Sequence, residues 1–425
     1  MIMLNGRKKM RYAVALALTA AWGLTANPAA AGDPTVEVLH YWTSGGESKA
    51  INVFKSAFEA AGGKWIDSPV AGGGGDAMNQ VLRSRVLAGN PPGMAVLKGP
   101  NVTEWAEQGK LAFLDDVAAK DDWQKILPPL LNDIVKYDGH YVAIPVDVHR
   151  VDWMWVNPAL FAKIGATPPK NWDEFNAVAE KFLAAGITPL AHGGQPWQDA
   201  TVFETVVLGI GGIDFYRKTM VEQDLDALGS DTMVKVFDQM RKIRGYVDPS
   251  FAGRDWNLAT AMVMNGQAAM QIMGDWAKGE FLAAGKVPGK DFLCVPTPSD
   301  GGYILNSNSF AFFDSDGADK AAGRELLAHT MLSEKVEIDY TRFKGSIPAR
   351  LGVSRDGYDS CATRSMDDLE ASIKTEKLVP SMAHEMATSG AMRGAIVDVV
   401  TEHFNSDMSS EDAVKQLVAA VEQAK

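Results

Sequence analysis

The chain has 425 residues, of which 46% are hydrophobic and 22% charged. That length exceeds one ordinary core and implies two domains or two lobes, and the composition is that of a globular protein. The formal net charge is −12, and beyond the N-terminal segment no apolar run is long enough to span a membrane.

The first residues read as a targeting segment. "NGRKKMR" (Asn5–Arg11) is a basic n-region, "YAVALALTAAWGL" (Tyr12–Leu24) a short apolar h-region, and "AAA" (Ala29–Ala31) the small-residue cleavage pattern. Residues 1–31 are thus expected to be a signal peptide, with the mature chain starting near Gly32. Losing Arg7, Lys8, Lys9 and Arg11 takes the charge from −12 to −16. So acidic a chain argues against a nucleic-acid partner and against anchoring on anionic lipid. No cysteine follows the h-region, so no lipid anchor is expected. A periplasmic protein of a double-membrane bacterium is the simplest reading. Cys294 and Cys361 are the only cysteines. In an exported chain they favour one disulfide over two buried free thiols.

"TVEVLHYW" reads as a strand, and Ser48–Gly63 as a helix with Ser48 at its cap and glycines at its end. "KWIDSPV" is a second strand. "GGGGDAMNQVLRSRVLAGN" is a glycine loop entering a helix, with Asp76 as the cap. "PPGMAVL" leads into a third strand, and "NVTEWAEQGKLAFL" is a short helix and exit. This βαβαβ order predicts a parallel sheet with helices on both faces. Ligands of such sheets bind beyond the carboxyl ends of the strands, where Trp42 and Lys98 lie.

The pattern then changes. Lys136–Asn157 reads as one long extended stretch with a D-G turn near its start, and a helical region begins at Pro158. Strand and helix return in "QAAMQIMGDWAKGEFLAAG" (Gln267–Gly285). "GYILNSNSFAFF" is extended, "DKAAGRELLAHTMLSEKVEIDYTRFKG" helical, "SIPAR" an extended break, and the remainder is read as helical to Lys425. No repeat and no long Pro- or Ser-rich linker separates two halves, so the chain is expected to cross between lobes more than once. Val146–Val151, Tyr303–Asn308 and Gly345–Arg350 are the candidate crossings. They place one lobe at 32–147 and 306–347 and the other at 148–305 and 348–425.

The usual catalytic sets are missing. "AGGGGDA" lacks the Lys-Ser/Thr of a P-loop and the spacing of a dinucleotide fingerprint, so it reads as a flexible loop. There is no H-E-x-x-H, no metal spacing among the seven histidines and no G-x-S-x-G elbow. A carboxylate pair could be drawn from 53 acids, which leaves an exported glycosidase open, although no pair stands out.

Aromatic placement is more telling. Trp42, Trp153, Trp197, Trp256 and Trp276 sit at element edges beside polar residues. Each singly could cover a core rim, and Trp153 and Trp155 read as core. Together they fit sugar recognition: flat indoles cover the apolar faces of a pyranose, while acids, amides and cations reach its hydroxyls. Glu47, Lys98, Gln195, Asn306, Asn308, Lys344 and His384 lie near those edges. Singly, Glu47 could serve the dipole of the first helix, Lys98 could be a solvated lysine, Lys344 a hinge ion pair and His384 a surface residue.

Several motifs carry a family resemblance: "LHYWTSGGE", "LKGPNVTEWAEQGKLAFLDD", "HRVDWMWVN" with "PALFAKIGATPPKNWDEF", "AAMQIMGDWAKGEF", "ILNSNSFAFF" and "KGSIPAR". Over essentially the whole mature length the chain resembles the extracellular solute-binding proteins of carbohydrate ABC transporters. These belong to the maltose-binding-protein-like superfamily, and the chain is most similar to its proteobacterial glucose-binding branch. The resemblance implies an α/β, two-lobe periplasmic binding protein fold of type II, with a ligand cleft between discontinuous lobes. It implies a sugar site of Trp42, Glu47, Lys98, Trp276, Asn308, Lys344 and His384, with Trp256 and Asp275 nearby. It further implies capture of a monosaccharide, glucose first, by hinge closure, and delivery to a membrane permease by a monomer without catalysis, cofactor or metal. An oligosaccharide, a polyol, a polyamine or a peptide is the alternative solute.

Overall fold

The computed structural model describes residues 33–314 and 317–425. Residues 1–31, expected to be a signal peptide, lie outside them. Two cores organise the molecule. One gathers apolar side chains from Val36 to Val146 and from Phe310 to Tyr340. The other draws on Val151–Ile304 and Cys361–Val421.

The first core surrounds a five-stranded sheet, ordered Lys64–Pro69, Thr35–His40, Met94–Leu97, Ser309–Phe312, Ile144–Pro145. The first three strands are parallel, as the βαβαβ pattern predicts. Ser309–Phe312 arrives from far along the chain and runs antiparallel to the third. The first helix, Gly45–Ala60, turns Ile51, Phe54 and Phe58 inward at helical spacing. Its cap is Ser44, whose hydroxyl accepts from Glu47 N, so it starts one turn before Ser48. Asp76 likewise falls inside its helix, in the first turn after a left-handed Gly75, and caps nothing. Only a residue outside the helical dihedrals can aim its side chain back at the free N–H groups, and the glycine takes that place here.

The second core holds a four-stranded sheet, ordered Leu293–Pro296, Trp153–Val156, Ala268–Ile272, Thr188–Leu190. "WMWV" is apolar at every position because this strand is buried on both faces. Cys294 on the edge strand is bridged to Cys361 in the first turn of the helix Ser360–Lys374.

The long extended stretch proves to be several short strands shared among four sheets. Lys136–Tyr137 and His140–Tyr141 form a hairpin about Asp138-Gly139, both at positive φ. Ile144–Pro145 joins the first core's sheet, His149–Arg150 a small connecting sheet, and Trp153–Val156 the second core's sheet. In the connecting sheet His149–Arg150 pairs with Tyr303–Asn306, which pairs with Leu378–Pro380. That last strand interrupts the expected all-helical end. Val148 and Ile347 exchange two backbone hydrogen bonds beside it, at 2.9 and 3.0 Å. The three extended stretches between the cores therefore run side by side.

Candidate functional site

A small cavity, about 30 Å³, lies where the two cores and the connecting strands meet. Its wall includes seven of the nine residues singled out as a sugar site: Glu47, Lys98, Trp256, Trp276, Asn308, Lys344 and His384. Each sits at an element end. Glu47 is in the first turn of Gly45–Ala60, and Lys98 follows the strand Met94–Leu97. Trp256 and Trp276 open the helices Trp256–Met264 and Trp276–Ala283. Asn308 precedes Ser309–Phe312, Lys344 ends Glu334–Lys344, and His384 follows Leu378–Pro380.

Trp42 and Asp275 are placed elsewhere. Successive side chains at a strand end point to opposite faces. Tyr41 turns to the cavity, and Trp42 turns into the first core with 1% of its surface exposed. The Trp42 ring meets Phe310 edge-on at 5.4 Å and Tyr340 at 5.8 Å, with Lys344 Nζ 4.8 Å from its centroid. Asp275 lies behind the wall, where it accepts from Arg150 N at 3.0 Å and bonds His149 Nδ1.

Five wall residues were outside the expected set: Tyr41, Gly74, His149, Trp197 and Asn306. Trp197 and Asn306 are among the edge residues that the sequence points to. Gln195 holds the Trp197 ring by accepting from Nε1 at 2.9 Å. A side chain at Gly74 would strike that ring, since a Cβ there lies 2.9 Å from it and φ is +80°. Lys98 donates to the Gly74 carbonyl at 3.1 Å.

The electrostatics divide by side. Lys344 Nζ donates to Glu47 Oε1 at 3.0 Å, both groups buried. Burial lowers the pKa of Lys98 more than the Glu385 carboxylate 3.6 Å away raises it. Burial, followed by the Glu47 charge, pushes the Tyr41 phenol well above 10, so it stays a donor and bonds Asn308 Oδ1 at 3.3 Å. His149 stands between two carboxylates, with Asp275 at Nδ1 and Asp147 Oδ2 3.0 Å from Nε2. Burial alone would lower its pKa, but the two acids outweigh that and raise it to about 9. His384 goes the other way. Burial lowers its pKa, Glu204 opposes this, and Lys98 and Arg393 add to the fall.

Three polar atoms of wall residues have no hydrogen-bond partner although buried, His149 Nε2, Asn306 Oδ1 and His384 Nε2, the first of them in ion-pair distance of Asp147 but without hydrogen-bond geometry. A buried orphan is costly unless something arrives to satisfy it. Among the described residues no three His, Cys, Asp or Glu side chains gather to hold a metal. A larger groove of about 480 Å³ lies behind the connecting strands, between Pro128–Leu131 and Ser360–Lys374. Its wall is mainly apolar, so convergent polar groups and not size distinguish the smaller cavity.

The two cores touch over the cavity. Gly46 N donates to Glu280 Oε1 at 2.6 Å, and a Cβ on Gly46 would come 2.7 Å from the Gly279 backbone. On another edge Arg393 Nη1 donates to Asp76 Oδ1 at 3.0 Å.

Residues 43–337 match the family model described as bacterial extracellular solute-binding protein. A probable sugar-binding periplasmic protein of Brucella suis is 50% identical over 391 residues, 92% of each chain. One of Rhizobium meliloti is 47% identical over 417 residues, 98% of this chain and all of the relative. Among solved structures, the bacterial solute receptor AcbH, described as preferring β-D-galactopyranose exclusively, superposes with a TM-score of 0.76 at 20% identity. That match covers 92% of this chain and 99% of AcbH. The fold is thus the two-lobe one that the motifs implied, and the chain belongs to the bacterial extracellular solute-binding proteins, a family of binding proteins and not of enzymes.

Proposed function

We propose that the protein is a periplasmic sugar-binding protein that takes up one monosaccharide, glucose first, in the cavity between its cores and presents it to the permease of an ABC transporter. The observation that carries this reading is the composition of the cavity wall. Trp197, Trp256 and Trp276 offer flat apolar faces, while Glu47, Lys98, Asn306, Lys344 and His384 offer donors and acceptors around them. A pyranose needs both, because its C–H faces are apolar and each hydroxyl donates and accepts. The relatives at 47–50% identity, described as probable sugar-binding periplasmic proteins, support the sugar class and the periplasmic location. The small cavity favours one ring over an oligosaccharide.

In this reading 32–147 with 306–347 and 148–305 with 348–425 move as two bodies of a monomer about the connecting strands, after residues 1–31 are removed as a signal peptide. Glu47, Lys98, Asn308 and Lys344 on one body and Trp256, Trp276 and His384 on the other hold the ligand, so it stabilises the closed form through contacts with both. Trp42 and Asp275 act from behind, under Lys344 and His149.

A thermal-shift panel of glucose, galactose, mannose, maltose and spermidine, followed by calorimetric titration, tests this. Glucose is expected to bind at about micromolar affinity or tighter, ~8 kcal/mol. At 100-fold excess over Kd it adds ~2.7 kcal/mol of stability, a shift of a few degrees. A panel in which maltose or spermidine raises the melting temperature and no hexose does would overturn the substrate reading.

A further inference from the structure

His384 presents an unpartnered Nε2 to the cavity while its other nitrogen is engaged. Ser381 Oγ lies 2.9 Å from His384 Nδ1 and 2.7 Å from Glu204 Oε1, and it accepts from His384 N at 3.1 Å. Glu204 is fully buried in the long helix Pro196–Tyr216 and does not reach the cavity. Its carboxylate is faced by donors: Ser381 Oγ, Tyr216 OH at 2.8 Å, Met382 N at 2.8 Å and Ala383 N at 3.2 Å.

We infer that Glu204 is a positioning residue for ligand recognition: through Ser381 it holds His384 in the Nδ1–H tautomer, so that a bare Nε2 faces the ligand as an acceptor. A serine hydroxyl has one proton. Glu204 is an acceptor and takes that proton. Ser381 Oγ is then itself an acceptor, and the proton shared with His384 must reside on Nδ1. In the neutral imidazole this leaves Nε2 without a hydrogen. The opposite arrangement would spend the serine proton on Nδ1, strip the buried Glu204 Oε1 of its hydroxyl donor, and carry the penalty of an unmet buried carboxylate oxygen. The depressed basicity of His384 agrees, since it keeps the ring neutral. The consequence is selectivity. Beside Asn306 Oδ1, the wall asks for a ligand hydroxyl that donates, and a group that only accepts is rejected. This rests on the sugar-site reading for its ligand, but the tautomer itself does not.

The test is long-range ¹H–¹⁵N correlation of the histidine rings in the whole unliganded protein, with a His384→Asn variant to assign the signal among seven histidines. Wild type should show a protonated Nδ1 and a bare Nε2. In Glu204→Gln the amide can donate to Ser381, which frees the serine proton for Nδ1 and should move the histidine hydrogen to Nε2. Glucose affinity should then fall on the order of ten- to a hundred-fold, the cost of a mismatched buried pair. A fluorodeoxy-glucose whose fluorine replaces the contacting hydroxyl should lose affinity for wild type and lose far less for Glu204→Gln. A wild-type signal with hydrogen on Nε2 overturns the inference even if glucose binds well. If the tautomer is as expected and no hexose binds, the relay stands and the sugar reading falls. Should Glu204→Gln fail to fold, the wild-type spectrum and the fluorinated ligand still decide.

Discussion

The two walls of the cavity differ in kind. The wall from the first core is mostly charged or polar: Glu47, Lys98, Asn308 and Lys344, with the Tyr41 phenol among them. The wall from the second core is mostly aromatic: Trp197, Trp256, Trp276 and the neutral ring of His384, with Trp276 and His384 centroids 4.9 Å apart. A polar wall reads hydroxyls and tolerates water while the cleft is open. An aromatic wall contributes area and depends on its own core to hold the rings in place. In the proposed sugar site, discrimination and affinity are therefore expected to separate between the two walls, and four measurements press on that separation.

The largest effect concerns the core behind the aromatic wall. The Cys294–Cys361 bridge closes a separation of 67 residues, worth ~4 kcal/mol in the chain-entropy model. A Cys294→Ala/Cys361→Ala protein should melt several degrees lower by calorimetry, and quenching of Trp197, Trp256 and Trp276 fluorescence should loosen with it. Unchanged melting would show that the aromatic wall needs no covalent brace.

Next comes His149, between the walls. Its folded pKa of about 9 lies above the ordinary value of 6.5, so its contribution is complete below pH 6.5 and is lost as pH rises through 9. A difference of this size is ~3 kcal/mol by the unit conversion. Urea unfolding at pH 7 and pH 10 should show a loss that His149→Gln lacks. His384 and His403 have lowered values, His403 about 4, so their contribution is present above 6.5 and lost as pH falls through the folded values. Wild type without excess loss at pH 10 would mean that the two acids do not hold an imidazolium.

Much of this arrangement was legible in the sequence, for a physical reason. Lys98 and Trp276 follow short apolar strands, and in an α/β sheet such positions point to the crevice whatever the rest of the fold does. The extended character of "SIPAR" and "ILNSNS" was legible because each separates elements of different rhythm, and both pair with the stretch around Val148–Arg150. His149 was not legible. Its environment is made by Asp147 and Asp275, which become neighbours only when the crossing strand meets the helix Trp276–Ala283. The same holds for Glu204, in a helix whose first half is buried on every face, polar residues included, and 177 residues from the serine it meets. Periodicity reports burial along one element and is silent on which distant element will supply a partner.

A third measurement sets one residue of each wall against the other. Glu47→Gln weakens a charge-assisted bond and Trp276→Ala removes a stacking face. Each should cost on the order of 1.5–3 kcal/mol of glucose binding, and the unliganded variants should also melt lower, since Glu47 pairs with the buried Lys344 and Trp276 packs in the second core. Deoxy analogues should distinguish them: Glu47→Gln should flatten the penalty at one hydroxyl, whereas Trp276→Ala should weaken every analogue alike. If Trp276→Ala binds like wild type and melts early, that ring caps the second core and the aromatic wall is not a ligand surface.

The smallest effect is the finest test, because it divides two adjacent residues. Tyr41 and Trp42 directly follow the strand Thr35–His40, one toward the cavity and one toward the core. Tyr41→Phe removes only the hydroxyl that donates to Asn308 Oδ1, a neutral hydrogen bond worth ~0.5–1.5 kcal/mol. Affinity should fall about two- to ten-fold, because Asn308 loses the one bond to its amide oxygen from Tyr41 while its amide nitrogen stays on Asp147 and the ring stays in place. Trp42→Phe instead leaves a void beside Phe310 and Tyr340 and takes away the face under Lys344. It should lower the melting temperature and leave most of the affinity, since the Lys344–Glu47 pair persists. Titration and melting of both variants give a crossed pattern if the pleat places them as described. A Trp42→Phe protein that melts normally but binds glucose more than ten-fold worse would put the second ring of the pair on the ligand, and the polar wall would then carry an aromatic platform of its own.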